Sequence, residues 1–105
     1  MDRVYNKLVR DKIPGIIMHQ GELPVYHKLD DAEYLAELKR KLQEEMSEFL
    51  AEDDPEELAD LYEVMDAIAQ FLGGKEKILE LQRKKQERNG GFADRIYLQE
   101  VKERI

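Results

Sequence analysis

At 105 residues and 12.4 kDa, the chain 1–105 has room for a single domain around one core. It contains no cysteine, which excludes disulfides, thiolate metal ligands and thiol nucleophiles. Its formal charge of −7 argues against a nucleic-acid binder, and no apolar run approaches the roughly 18 residues that a membrane span requires. With 42% hydrophobic and 39% charged residues, the composition suits amphipathic helices with charged outer faces. The opening Met1-Asp2-Arg3 has no apolar leader after it, so the expectation is a soluble cytoplasmic protein with no membrane partner.

Residues 1–29 are the least regular. Tyr5-Asn6-Lys7-Leu8-Val9-Arg10-Asp11-Lys12-Ile13-Pro14 mixes cations with isolated apolar side chains. Pro14 suits the first turn of a short helix running to Gln20, which Gly21 ends. The loosely alternating Pro24-Val25-Tyr26-His27-Lys28-Leu29 reads as extended chain.

Asp30 with Glu33 resembles a capping box and opens a long helix over about 31–52. Leu35, Leu38, Leu42, Met46 and Phe49 follow at spacings of three and four, giving one apolar stripe. Glu45 falls at the edge of that stripe, Glu48 further round, and Glu44 almost opposite, toward solvent or another chain. A break at Asp53-Asp54-Pro55 then leads into a second helix over about 55–72, stopped by Gly73-Gly74. Its apolar set from Leu58 to Leu72 covers about half the cylinder, more than one neighbour hides. A third long helix over about 75–89 ends in the basic group Arg83-Lys84-Lys85 with Arg88. In the tail, Leu98, Val101 and Ile105 suit a helix, whereas Arg95-Ile96-Tyr97-Leu98 suits a strand paired with the Val25 region. The expected fold is thus all-α, with a possible short strand pair near the termini.

Charge is unevenly spread. Between Asp30 and Asp66 there are 15 acidic residues against 3 basic, and elsewhere 9 acidic against 14 basic. So short a link folds the two long helices back antiparallel, which brings Glu44, Glu45 and Glu48 toward Glu57 and Asp60. Glu57 lies within the apolar arc of its helix, and a carboxylate there is costly unless paired or bound to a metal. Five converging carboxylates call for a hard divalent cation, Mg²⁺ or Mn²⁺. Taken alone, each acidic cluster is more often a solvated helix face. Other chemistry has little support. Ser47 is the only serine and has no evident histidine partner, His19 and His27 lie in the irregular first segment, and both glycine pairs read as helix stops.

The pairing of Glu44-Glu45-x-x-Glu48 with Glu57-x-x-Asp60 resembles the signature of the MazG-like all-α nucleoside triphosphate pyrophosphohydrolases. The opening Tyr5 to Pro14, and the closing Lys85-x-x-Arg88-x-Gly90-Gly91-Phe92 with Arg95-Ile96-Tyr97-Leu98, resemble a branch of that superfamily described as predicted house-cleaning enzymes. The resemblance implies a single MazG-like domain with Mg²⁺ held by Glu44, Glu45, Glu48, Glu57 and Asp60. It implies hydrolysis of a nucleoside triphosphate to a monophosphate and pyrophosphate, clearing altered nucleotides, in a homodimer or homotetramer. On that reading Glu45 or Glu48 is the base toward water, and Lys7, Arg10, Lys12, Lys85 and Arg88 are the candidate phosphate contacts. The competing expectations are a phosphoribosyl-ATP pyrophosphohydrolase and a non-catalytic acidic interaction module.

Overall fold

Local signals set the helix boundaries. The Asp30 side chain accepts a hydrogen bond from the Glu33 N–H at 2.8 Å and starts the longest helix. Asp53, in the left-handed region at φ 53°, ends it and donates its N–H to the Phe49 carbonyl at 2.8 Å. Asp54 then caps the next helix, its carboxylate accepting from the Glu56 N–H at 3.0 Å, and Pro55 fills the first turn. In this computed structural model, which describes residues 2–104, the helices are α1 (Ile13–His19), α2 (Asp31–Glu52), α3 (Pro55–Ala69) and α4 (Lys75–Asn89).

The architecture is all-α, and several expectations need correction. The second long helix stops at Ala69, after which Gln70–Leu72 tighten into a 3-10 turn. Gly73 (φ 104°) and Gly74 (φ 99°) then reverse the chain, and the Gly74 N–H returns to the Ala69 carbonyl at 2.9 Å. The suggested strand pair is also absent among the described residues. Pro24 supplies no N–H for a ladder, and Arg95 at φ 59° leaves β geometry. Nor does the alternative tail helix form among the described residues, Leu98 and Val101 lying on irregular chain, while Ile105 lies outside the described residues.

The core is a hairpin of α2 and α3. Leu38, Val64 and Ala69 are its buried apolar residues, and Leu42, Leu61 and Ile68 are half-buried beside them. At the open end, the Tyr34 ring meets Phe71 edge-on at 5.6 Å, joining the start of α2 to the turn after α3. The inward line of α2 runs Leu38, Leu42, Glu45, Phe49. Met46 does not belong to it: Met46 is 45% exposed while Glu45 is 6% exposed. A carboxylate therefore occupies a core position that the stripe assigned to methionine.

Outside the hairpin little is buried. The chain measures 72 × 31 × 20 Å with a radius of gyration of 19.5 Å, against about 13 Å for a compact chain of this length. Leu58, Tyr62 and Met65 form an exposed line on α3, as the over-wide apolar arc predicted, and Phe92, Ile96 and Tyr97 project from an extended tail. No helix among the described residues is long and apolar enough to cross a membrane.

Candidate metal centre

The two-residue link fixes the register in which α2 and α3 meet. Their facing lines carry Glu45 on one side and Glu57 with Asp60 on the other. Each of these three offers a carboxylate oxygen lying within 4.8 Å of the other two. Oxygens sharing one small divalent ion stand roughly 3–4 Å apart, so a slight contraction of the side chains closes the set. The donors are all hard oxygens, which suits Mg²⁺, Mn²⁺ or Ca²⁺.

The electrostatics are those of a site short of positive charge. Oε2 of Glu45 and Oε2 of Glu57 are both buried without a hydrogen-bond partner. Burial pushes the Glu45 carboxyl up, while the Lys41 ammonium at 3.4 Å pulls it the other way. Glu57 is pushed up to about 7, first by desolvation, then by the Glu48 carboxylate against it and by the Asp60 and Glu45 charges. Near neutral pH the cluster thus holds a proton that a metal would displace.

The two other glutamates sit at the rim. Glu48 is exposed beside Glu57. Glu44 is half-buried rather than free in solvent, with Lys7 and Lys41 each 3.7 Å from its Oε1. Arg10 donates to Asp60 Oδ1 at 2.7 Å. Of the five basic candidates, then, Lys7 and Arg10 reach the acidic cluster. Lys12 stands at the start of α1 beside an open groove lined by Asp11, Ile16 and His19, and Lys85 and Arg88 lie exposed on α4. No ion pair among the described residues links these three to the cluster.

Lys41 was not among the sequence candidates. Its signal was present in the spacing to Glu44 and Glu45, three and four residues on, which places its ammonium over both. That spacing is so common on solvated helices that only the burial of Glu45 gives it weight.

Comparison with known proteins adds one likeness. The chain is 49% identical over 47 residues to a protein of Mycolicibacterium smegmatis (strain ATCC 700084 / mc(2)155) described as uncharacterized. The match covers 45% of this chain and 48% of that relative, so it spans about half of each. No family model matches the chain, and no solved structure matches it.

Proposed function

We propose that the chain is a divalent-metal-dependent nucleoside triphosphate pyrophosphohydrolase of the MazG-like type. The observation that carries this reading is the buried, unpartnered Oε2 of Glu45, on a residue whose carboxylate groups with those of Glu57 and Asp60. A buried carboxylate oxygen without a donor is expensive for a small hairpin to keep, even with Lys41 on the other oxygen, and a cation between the three carboxylates removes the cost. The motif order along the chain, from the Tyr5–Pro14 segment to Phe92, supports the choice of reaction class.

Glu45, Glu57 and Asp60 would hold the metal, with Mg²⁺ the expected ion and Mn²⁺ a substitute. When bound, the ion neutralises charge on the phosphate oxygens and on departing pyrophosphate. Glu48, exposed beside the triad, would orient water and accept its proton for in-line attack between the α and β phosphates. Glu44 at the rim completes the acidic wall and positions Lys7. Lys7 and Arg10 supply donors for phosphate oxygens. A second copy of the chain covers the Leu58, Tyr62 and Met65 line, giving a homodimer or homotetramer.

The test is pyrophosphate release from a panel of standard and modified NTPs and dNTPs, with phosphoribosyl-ATP included, in Mg²⁺ or EDTA. Wild type should release pyrophosphate only with metal, and Glu45→Gln and Glu57→Gln should fall at least about a hundredfold while staying helical by circular dichroism. Preference for phosphoribosyl-ATP would move the assignment to that hydrolase. No release from any nucleotide, with no effect of Mg²⁺ on melting, would leave an acidic interaction module.

A further inference from the structure

The contacts of Arg10 and Lys7 are not by-products of helix spacing. Arg10 lies 50 residues from Asp60 in sequence, yet its Nη2 is 2.7 Å from Oδ1 of a triad carboxylate. Lys7 approaches Glu44 at 3.7 Å from the same segment. This segment brings two cations to the carboxylates of Glu44 and Asp60, beside the Lys41 ammonium that already meets Glu44 and Glu45. Both side chains remain about half exposed, so their pairs are screened and exchange readily.

Resting on the metal-dependent reading above, we infer that Arg10 and Lys7 are displaceable counter-cations of this site, which leave the carboxylates for a polyphosphate when a divalent ion arrives. Asp60 is shared: the oxygen that Arg10 grips, Oδ1, belongs to the residue that the ion needs. A guanidinium beside a divalent cation is repelled by it. The planar fork that fits a carboxylate fits a phosphate equally well, so the released side chain keeps its hydrogen bonds by turning to the ligand. Metal alone must compete with the segment. Metal together with polyphosphate does not, because the segment then has an anion of its own to hold. Arg10 thus opposes the first ligand and favours the second.

This sign reversal can be measured on the chain 1–105 without turnover. Mn²⁺ binding would be titrated by electron paramagnetic resonance of the free ion, first alone and then at saturating Mn²⁺ with inorganic triphosphate followed by calorimetry. The proteins are wild type, Arg10→Gln, and Arg83→Gln as a control that makes the same charge change on α4, where Arg83 pairs with Glu80. Arg10→Gln should bind Mn²⁺ about two- to fivefold more tightly than the control and triphosphate more weakly by a similar factor. In wild type, trypsin cleavage after Lys7 and Arg10 should quicken when Mn²⁺ is added. If Mn²⁺ binds wild type but Arg10→Gln matches Arg83→Gln, or both ligands weaken together, the inference fails and the metal site stands. If wild type binds no Mn²⁺, the metal reading fails and takes the inference with it.

Discussion

The α2–α3 hairpin and the segments flanking it carry the same kinds of large apolar side chain, yet among the described residues only the hairpin buries any. Leu38, Val64 and Ala69 are enclosed, whereas Val4, Leu23 and Val25 before the hairpin and Phe92, Ile96 and Tyr97 after it lie open. What separates the regions is whether a partner stands close in sequence. Two helices joined through Asp53 and Asp54 find each other at almost no cost in chain entropy. The flanks have no such neighbour among the described residues. Apolar content therefore does not locate a core; periodicity with a nearby matching face does.

The sharpest way to break this comparison is to truncate one side chain in each region. Leu38→Ala should lower stability by about 2–5 kcal/mol, enough to unfold a hairpin with so few buried residues, as read by urea denaturation followed by circular dichroism. A loss well under 1 kcal/mol would mean that the hairpin is not the core.

Within the hairpin, the acidic cluster should behave in the opposite sense to Leu38. In the folded chain Glu57 titrates near 7 instead of its ordinary 4.5. Between those values the folded state holds a proton that the unfolded state has released, so stability falls as pH rises from about 4.5 to 7 and levels off above. Desolvation and the facing Glu48, Asp60 and Glu45 set the shift, with Arg10 on Asp60 and Lys41 on Glu45 moderating the charge nearby. Thermal melts in EDTA should show this decline, and Glu57→Gln should melt higher than wild type at pH 7.5 with a flatter profile. Added Mg²⁺ should raise the wild-type midpoint at pH 7.5 and leave Glu57→Gln unmoved. A variant that melts lower in EDTA would show that the Glu57 charge is already compensated.

Removing a cap tests whether the hairpin's geometry is set locally. Asp54→Ala takes away the acceptor for the Glu56 N–H and should cost about 1 kcal/mol in urea denaturation, with the helix content of the folded state unchanged. The smallest effect belongs to the tail. Ile96→Ala should change stability by less than about 0.5 kcal/mol at low micromolar protein. A loss comparable to that of Leu38→Ala, growing with protein concentration, would show the tail to be covered by another copy and would erase the contrast between the two regions.

Much of the fold was legible because its signals are short-range. Asp30, Pro55, Gly73 and Gly74 each act within one turn of chain, and they bound α2, α3 and α4 closely. The end of α3 was misplaced because a 3-10 turn and a helical turn have the same apolar spacing over three residues. Of the site, Glu57 stands out because a carboxylate within an apolar arc is anomalous on physical grounds, whereas Glu45 and Asp60 could be named only through the convergence of the two acidic clusters across a short link. Their grouping into a triad, with Glu48 and Glu44 displaced to the rim, depends on about one position of helix rotation. The Leu38–Met46 stripe averaged that rotation away, and the burial of Glu45 in place of Met46 reveals it. Arg10 on Asp60 is a contact across 50 residues, which no local pattern encodes. The strand suggested for the tail failed because alternation records a residue's preference, not the presence of another strand to bond with.

The short link between α2 and α3 also bears on how quickly the molecule takes shape. Glu45 and Glu57 are separated by a dozen residues, and closing a loop of about that length takes on the order of 10–100 ns. The hairpin is therefore a low-contact-order unit whose helices dock early, and the carboxylates are forced together during the climb to the barrier rather than after it. Their repulsion then slows folding more than it speeds unfolding. In stopped-flow experiments, screening by salt or filling the cluster with a divalent ion should steepen the rise to the native signal while the unfolding rate scarcely changes.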